Sequence, residues 1–389
     1  MAKDKKESKS KIVEETIELP KDLVVTNHEF LFIYDAQLCN PNGDPSNENK
    51  PRMDEEREIN LVSDVRLKRY IRDYLQKYKE QNIYVTKLDE GVVTATKRIE
   101  NLLISQRDIY KSKTKPQDSP TEEVYYDFIT LDDLTKNSKK NNTTDVEADN
   151  DQDSEESSSI NWKKVGKVGK SFIKDKMIDI RLFGATIPLK TGDKTGSSIT
   201  ITGPVQINWG YSLNTVRSEN FEIHSQFGSA DGKAQGTIGQ DPKVIYSFIA
   251  FYGNIIAAKC EDARLTNSDI DLFDEAIIKS IPLLSTRSKI GQYPRFYIRI
   301  EYNDGEYLNG DLRRLVKLEL NEELKNQNKE LTLSNIRDIS EVELNTQKLQ
   351  ETIDRLKSTK IKRNGNEPEI ELVKNIKFWQ HDDLKTKEK

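Results

Sequence analysis

The sequence predicts an α+β fold in which a few strands are accompanied by two amphipathic helices. Three stretches carry that expectation. Glu29 to Tyr34 is a short run of Phe, Leu and Ile closed off by turn residues, the pattern of a buried strand. From Ser63 onward, Leu67, Tyr70, Ile71, Tyr74, Leu75 and Tyr78 recur at three- and four-residue spacing, the stripe of a helix that packs by one face. Pro294 to Tyr302 sets Phe296, Ile298 and Ile300 against Arg295, Tyr297 and Arg299, an alternation that reads as a half-buried strand.

Taken in order, residues 1–28 are charged, with a weak apolar alternation from Ile12 to Leu19, and read as a flexible arm or an edge strand. After the first strand, Asn40-Pro41-Asn42-Gly43-Asp44-Pro45 supplies residues that impose tight turns, so an ordered irregular loop is expected. Ser63 stands where a helix N-cap belongs, and Asp64 suits the positive end of the helix dipole. At about 100° per residue, Lys68, Arg72 and Lys79 fall on one flank of that helix, with Asp73 the acid among the cations. Such a flank is either a solvated charged face or a row of cations offered to a polyanion.

Residues 82–95 and 98–110 read as loop with short helical pieces, and Lys111 to Pro120 is a polar break. Leu131 to Ser159 is rich in Asn, Ser, Asp and Lys with almost no apolar residues, the composition of disorder or a long surface excursion. Met177 to Leu189 and Ile199 to Trp209 are strand candidates joined by a Gly-containing turn. That turn lacks the Gly-Lys-Ser/Thr ending of a phosphate-binding loop, so a hairpin is the better reading. Leu213 to Lys243 is polar and Gly-rich between apolar flanks at 207–209 and 244–252, an excursion from packed segments. Ser268 to Ser280 reads as the second helix, and Leu312 to Leu324 and Ser340 to Leu356 as further helical stretches.

Of the 389 residues, 34% are hydrophobic and 33% charged, so part of the length belongs to solvated segments rather than to core. No apolar run approaches the roughly 20 residues of a membrane helix, and the hydrophilic start is unlike a signal peptide, which together predict a cytoplasmic protein with no membrane partner. Cys39 and Cys260 are too few for a disulfide framework, and His28, His224 and His381 are not at ligand spacing with them. No metal site, cofactor or nucleophile elbow is written in the chain. A net charge of -5 does not exclude a nucleic-acid partner: seven acids and no Lys or Arg lie between Asp145 and Glu156, leaving the remainder slightly positive.

The motifs NPNGDP, NKPRMD and LVSDVRLKRYIRDYL, in that order between residues 40 and 75, resemble the backbone subunit of the type I CRISPR Cascade complex in its type I-B form, the Cas-seven or Csh-two family. Asp179 to Ile187, Thr202 to Gly210 and Thr286 to Gln292 support the resemblance, which spans about residues 29–302. It implies a ferredoxin-like (RRM-like) palm, β-α-β-β-α-β, with a large helical insertion and a projecting thumb hairpin. The strands counted toward it are 29–35, 177–187, 199–209 and 294–302, and the helices 63–79 and 268–280. The palm is then 29–80 with 176–303, the finger insertion 81–175 with an acidic low-complexity stretch at 137–160, the thumb 214–243, and the C-terminal extension 304–389.

The family's function implies CRISPR guide RNA (crRNA) as partner, the target DNA strand through the guide duplex, copies of the chain head to tail, and other Cascade subunits. A guide of variable sequence must be held by charge and shape rather than by base edges. The residues carried over as RNA-binding are Asn42, Lys50, Arg52, Ser63, Arg66, Lys68, Arg69, Arg72, Gly184, Asn208, Arg287, Ser288 and Lys289, the strongest match being Lys68 and Arg69 with Arg72. No catalytic residue is expected. The alternative is a metal-dependent endoribonuclease like related type III backbone proteins, with Asp44 or Asp35 as ligand. For Asp44, fixing the turn and capping backbone amides is the favoured role.

Overall fold

The computed structural model describes residues 19–86, 173–191, 194–224, 238–362 and 368–387. The acidic stretch at 137–160, most of the expected finger insertion and residues 1–18 of the arm lie outside them. The chain forms two compact units, one of Met1–Leu23, Gln81–Gly203 and Cys260–Thr266, the other of Val24–Glu80, Pro204–Lys259 and Asn267–Lys389. Residues 176–203, assigned to the palm from the sequence, therefore go with the first unit.

The second unit is organised around one antiparallel sheet. Its elements are β1 (His28–Cys39), β2 (Ile59–Val62), α1 (Asp64–Lys79), β3 (Val205–Ile207), β4 (Gly210–Ser212), β5 (Ser218–His224), β6 (Ile238–Ile255), α2 (Asn267–Leu283), β7 (Gln292–Tyr302) and β8 (Val373–Gln380). Across the sheet the order is β8-β7-β1-β6-β4-β2, with β3 and β5 also paired to β6. β1 is central, pairing with β6 from His28↔Ile255 to Cys39↔Val244 and with β7 on its other side.

Alternation along β1 explains why nearly all of it is buried. Phe30, Phe32 and Tyr34 face the helices, where the Phe30 and Phe273 rings meet edge to face at 5.3 Å and Phe32 lies against Tyr297. Leu31 and Ile33 face the opposite way, into a core shared with Phe248, Ile298, Leu312 and Leu344. The chain after residue 304 thus covers the sheet face that α1 and α2 leave open, and each fully buried Leu or Phe there contributes about 1.5–3 kcal/mol. The two helices lie together: the Tyr74 hydroxyl donates to Glu275 at 3.0 Å and Lys79 pairs with Glu275 at 2.7 Å.

At the start of β1, Glu29 is fully buried and pairs with no cation among the described residues. Its carboxylate accepts from the Tyr252 hydroxyl (2.5 Å), the Tyr302 hydroxyl (2.7 Å) and the backbone amides of Asn309 (2.6 Å) and Gly310 (2.8 Å). This fastens the start of the C-terminal extension to the central strand. Beside it, Arg299 and Asp274 form a buried pair at 2.7 Å, to which His28 adds a 2.8 Å contact with the guanidinium.

The α+β class holds, as a large antiparallel sheet with few helices, but two predicted strands are corrected. Ile178–Phe183 is a short helix, and Gly184–Thr191 pairs with Lys194–Thr202 as a separate ribbon in the first unit. Gly184 has φ +73, and a Cβ on it would lie 2.2 Å from the Ile201 carbonyl oxygen, so this corner requires glycine. The strand expected over 199–209 breaks before Pro204, and only β3 and β4 beyond the break join the sheet. The remaining strand is β6, which the sequence showed only as the apolar flank 244–252. Strands pair with it on both sides and both of its faces are covered, so Val244 to Tyr252 is apolar except for the buried Ser247, without the alternation that marks a half-buried strand.

The stretch expected as the thumb folds back on itself: β5 pairs with the first part of β6 from Ser218↔Val244 to His224↔Ile238, while 225–237 lie outside the described residues. Two predicted helices also change. Leu312 to Leu324 holds a short 3-10 turn, the strand Lys317–Leu320 and the helix Glu322–Gln327, and 340–356 divides into the strand Val342–Asn345 and the helix Gln347–Ser358. Leucines at 318 and 320 satisfy a strand period as well as a helical one, and pairing decides between them.

Candidate nucleic-acid interface

The far end of β1 is built differently from its start. Leu38, at φ +47, interrupts the pairing just before the last pair, Cys39↔Val244, and the segment 286–291 packs onto the strand end. The Gln37 amide donates to Gly291 at 2.8 Å and the Asn40 amide to Ser288 at 2.9 Å. Gly291 has φ +99, and a Cβ there would sit 2.3 Å from the Gln37 carbonyl oxygen, so the close approach needs a residue without a side chain. This brings Lys289 to the strand end, where its ammonium donates to the Asn40 carbonyl rather than to a carboxylate. Burial, reinforced by the Arg66 charge, pushes Lys289 down to about 8.

Arg66 comes from the first turn of α1, and its guanidinium lies 4.0 Å from the centroid of the Tyr70 ring. Gln292 ties the elements together, donating to the Tyr70 hydroxyl at 3.3 Å and to the Lys289 carbonyl at 2.8 Å. The loop between β1 and β2 closes the other side. Asn42 accepts from both the amide (2.8 Å) and the hydroxyl (2.9 Å) of Ser63, and Ser63 caps α1 by accepting from the Arg66 amide at 3.3 Å. Asp44 accepts from the Ser46 amide at 3.0 Å and pairs with Arg52 at 3.2 Å. The Nε atoms of Arg52 and Arg66 are buried and lack a hydrogen-bond partner among the described residues. Arg295 Nε, in the buried pair with Asp35, is a third, and cationic donors left over in a native fold call for an explanation.

The residues expected at an interface divide into four groups, the last of them the flank of α1. Lys289 and Arg66 lie near each other at the end of β1 with Ser288, Ser63 and Asn42 bonded around them. Arg52 joins through its amide, which donates to the Asn42 carbonyl at 3.1 Å, while its guanidinium turns to Asp44 and Trp209. Lys50 pairs with Glu48 at 3.0 Å, and Arg287 reaches Asp241 at 2.9 Å although its side chain stays 68% exposed. Burial alone raises the Asp241 carboxyl, but hydrogen bonds from Arg287 and Lys243 bring it below its ordinary value. Asn208 is exposed on the turn between β3 and β4, and Gly184 belongs to the first unit.

The expected cationic flank of α1 is the main correction. Arg72 is buried, Lys68 is held by Asp64 at 2.9 Å, Arg69 by Asp73 at 2.8 Å and Lys79 by Glu275. A helical wheel gives the direction of each side chain but not what packs beside the helix, and acids four residues away neutralise two of the cations. Trp209 was missed. It lies next to Asn208, its ring is 46% exposed, and the Arg52 guanidinium is 5.9 Å from its centroid. A Trp at a break between two short strands was the available signal.

Neither aspartate offered for metal chemistry is placed for it. Asp35 is buried against Arg295 at 2.9 Å and accepts from the Tyr246 hydroxyl at 3.1 Å, and Asp44 organises its turn. Among the described residues no three His, Cys, Asp or Glu side chains gather as a metal would require. Burial pushes the Cys39 and Cys260 thiols up to about 12. No described helix is long and apolar enough to cross a membrane.

Comparison with known proteins settles the family. The model for CRISPR-associated protein Cas7 matches residues 26–346, from before β1 to beyond the strand Val342–Asn345. The chain belongs to the Cas7 family. It is 30% identical over 375 residues to a CRISPR-associated protein Cas7 of Haloferax volcanii, covering 91% of this chain and 92% of that one. Two solved chains are also similar. One, from a CRISPR RNA-guided surveillance complex in a pre-nicking state, has TM-score 0.41 and 11% identity over 74% of this chain and 85% of its own. The other, from a CRISPR RNA-guided surveillance complex, has TM-score 0.33 and 12% identity over 82% and 88%. The membership read from the motifs between residues 29 and 302 is thereby established, and the Cas7 match takes in the whole β1 end, while Gln347–Ser358 and β8 lie beyond it.

Proposed function

We propose that this Cas7 chain is the non-enzymatic backbone subunit of a cytoplasmic type I-B Cascade complex. It binds crRNA, assembles head to tail along it beside other Cascade subunits, and supports recognition of the target DNA strand in antiviral defence. The observation that carries the reading is the group of cations at the end of β1, where Lys289 and Arg66 lie together, Arg52 stands in the adjoining loop, and the Nε donors of both arginines have no partner among the described residues. Phosphate oxygens are acceptors of the kind such donors take, and contacts of this sort carry no sequence preference.

The sheet order β7-β1-β6-β4, with α1 and α2 on one face, supports an RRM-like palm, but one used differently from RNA-recognition domains that stack bases on the open sheet face. Here the C-terminal extension fills that face, which directs RNA to the loops at the strand end. In this reading the β5-β6 hairpin is the thumb, the insertion after Glu80 the fingers, and Lys68, Arg69 and Arg287 secondary contacts that exchange an acid for a phosphate. Gly184 and Asn208 serve as backbone and rim positions, with Lys50 at the loop edge.

The test is to recover the protein from cells that express a CRISPR array and sequence the RNA it carries. Guide transcripts should dominate. A mixture that mirrors total cellular RNA would identify a general single-strand binder, and no RNA at low salt would overturn the assignment.

A further inference from the structure

Trp209 is exposed on a backbone that is held from every side. Its carbonyl accepts from Arg313 at 2.7 Å, and that guanidinium is itself fixed by Asp311 at 2.7 Å and lies 4.4 Å from the centroid of the Tyr211 ring. On one flank the Asn208 amide donates to the Tyr252 carbonyl at 2.9 Å. On the other, Gly210 is pressed so closely on Phe251 that an added Cβ would lie 2.5 Å from the ring, and it pairs with Val62. A turn immobilised to this degree nonetheless leaves nearly half of the largest apolar side chain in water.

Beside the ring is Arg52, anchored through Asp44 in the same loop that supplies Asn42 and Asn40 to the cationic cluster. Aromatic rings next to cations are the two parts of a surface that binds single-stranded nucleic acid: the cations take phosphate, and the ring takes a base face of any identity. Arg52 joins both, since its guanidinium lies over the indole and its Nε has no partner among the described residues.

We propose that Trp209 is a stacking platform for one nucleobase of the bound single strand, with Arg52 as the hinge between that base and the phosphate cluster. This rests on the RNA-binding reading above and adds to it a contact that depends on the base rather than on charge.

The experiment uses the full chain, with oligoadenylate, oligouridylate and inorganic polyphosphate as probes and with Trp209→Ala and Trp209→Phe as variants. Trp209→Ala should bind oligoadenylate about tenfold more weakly and oligouridylate less affected, because the purine face is larger. Trp209→Phe should restore most of the loss. The dependence of affinity on salt should not change, since no phosphate contact is removed, and polyphosphate should bind all three proteins alike. Equal binding of both RNAs by wild type and Trp209→Ala would overturn the platform while leaving the RNA reading intact. Unchanged RNA affinity with smaller assemblies would assign the indole to a protein neighbour instead, and a wild type that binds polyphosphate but not RNA would remove both inferences.

Discussion

The two ends of β1 show the same strand put to opposite uses. At its start, the buried charge of Glu29 meets two hydroxyls and two amides, and the Arg299–Asp274 pair beside it is bidentate and complete. At its finish, Lys289 has a carbonyl for a partner, and Arg66 and Arg52 keep buried Nε donors in reserve. Glu29 is wholly buried whereas Lys289, Arg66 and Arg52 are half-buried, so the two ends differ first in how far water reaches the charge. They differ too in completeness: the groups at the start have their partners inside the fold, whereas at the finish two arginine Nε donors lack one among the described residues and are placed for an acceptor that arrives later. Asp35 Oδ1 and Arg295 Nε, in a buried pair, are short of partners as well.

Glu29→Ala should break the first end and has the largest expected effect. Four buried donors would lose their acceptor together, costing roughly 3–5 kcal/mol in denaturant unfolding at about 1–3 kcal/mol per stranded group with partial relaxation. The RNA affinity of the protein that remains folded should be unchanged. A loss of stability below about 1 kcal/mol would show that the extension is held by its apolar contacts alone.

At the other end, Lys289→Met with Arg66→Ala should do the reverse. RNA binding should weaken whatever the sequence, and the log-log salt slope should fall by at most about 1.4, at about 0.7 per phosphate on a single strand. Filter binding across a salt series measures both. Stability should hold or rise slightly, because a half-buried ammonium with no acid beside it among the described residues is unfavourable to the fold.

A pH series sharpens the contrast further. Lys289 titrates near 8 in the folded chain against an ordinary value of 10.5, so its charge opposes folding at neutral pH. That opposition is fully present below 8 and disappears as pH rises from about 8 to 10.5, because the unfolded chain then holds the proton more tightly. Relative to Lys289→Met, the wild type should therefore gain stability over that window. Its RNA affinity should decline between pH 7 and 9, while that of the variant stays flat. An identical profile for the two proteins would remove Lys289 from the site.

The smallest effect should come from Lys68→Ala. Its ammonium is committed to Asp64 in a partly exposed pair four residues apart, worth about 0.3–0.5 kcal/mol, and RNA affinity should change less than for Lys289→Met. Should Lys68→Ala instead weaken binding more, the helix flank and not the strand end would be the principal contact.

The sequence by itself determined α1 nearly to the residue, with Ser63 capping as expected, and placed β1 and β7. But β1 runs four residues past the expected end to Cys39, and β7 is buried on both faces rather than half-buried because Arg295 and Arg299 pair inside with Asp35 and Asp274. The family was legible too, in motifs spread over the chain. It could not reveal β6 as the strand beside β1, since burial on both faces erases alternation, nor the fate of Arg72, Lys68 and Arg69, whose neighbours are set by helix packing and by acids in adjacent turns. Tertiary structure alone decided that the segment after residue 304 would close one face of the sheet, and that residues 249 positions apart, Asn40 and Lys289, would meet at its end. Local periodicity fixes which way a side chain points from its own element. What it points at depends on chain segments brought near by the burial of others, and that information is not local.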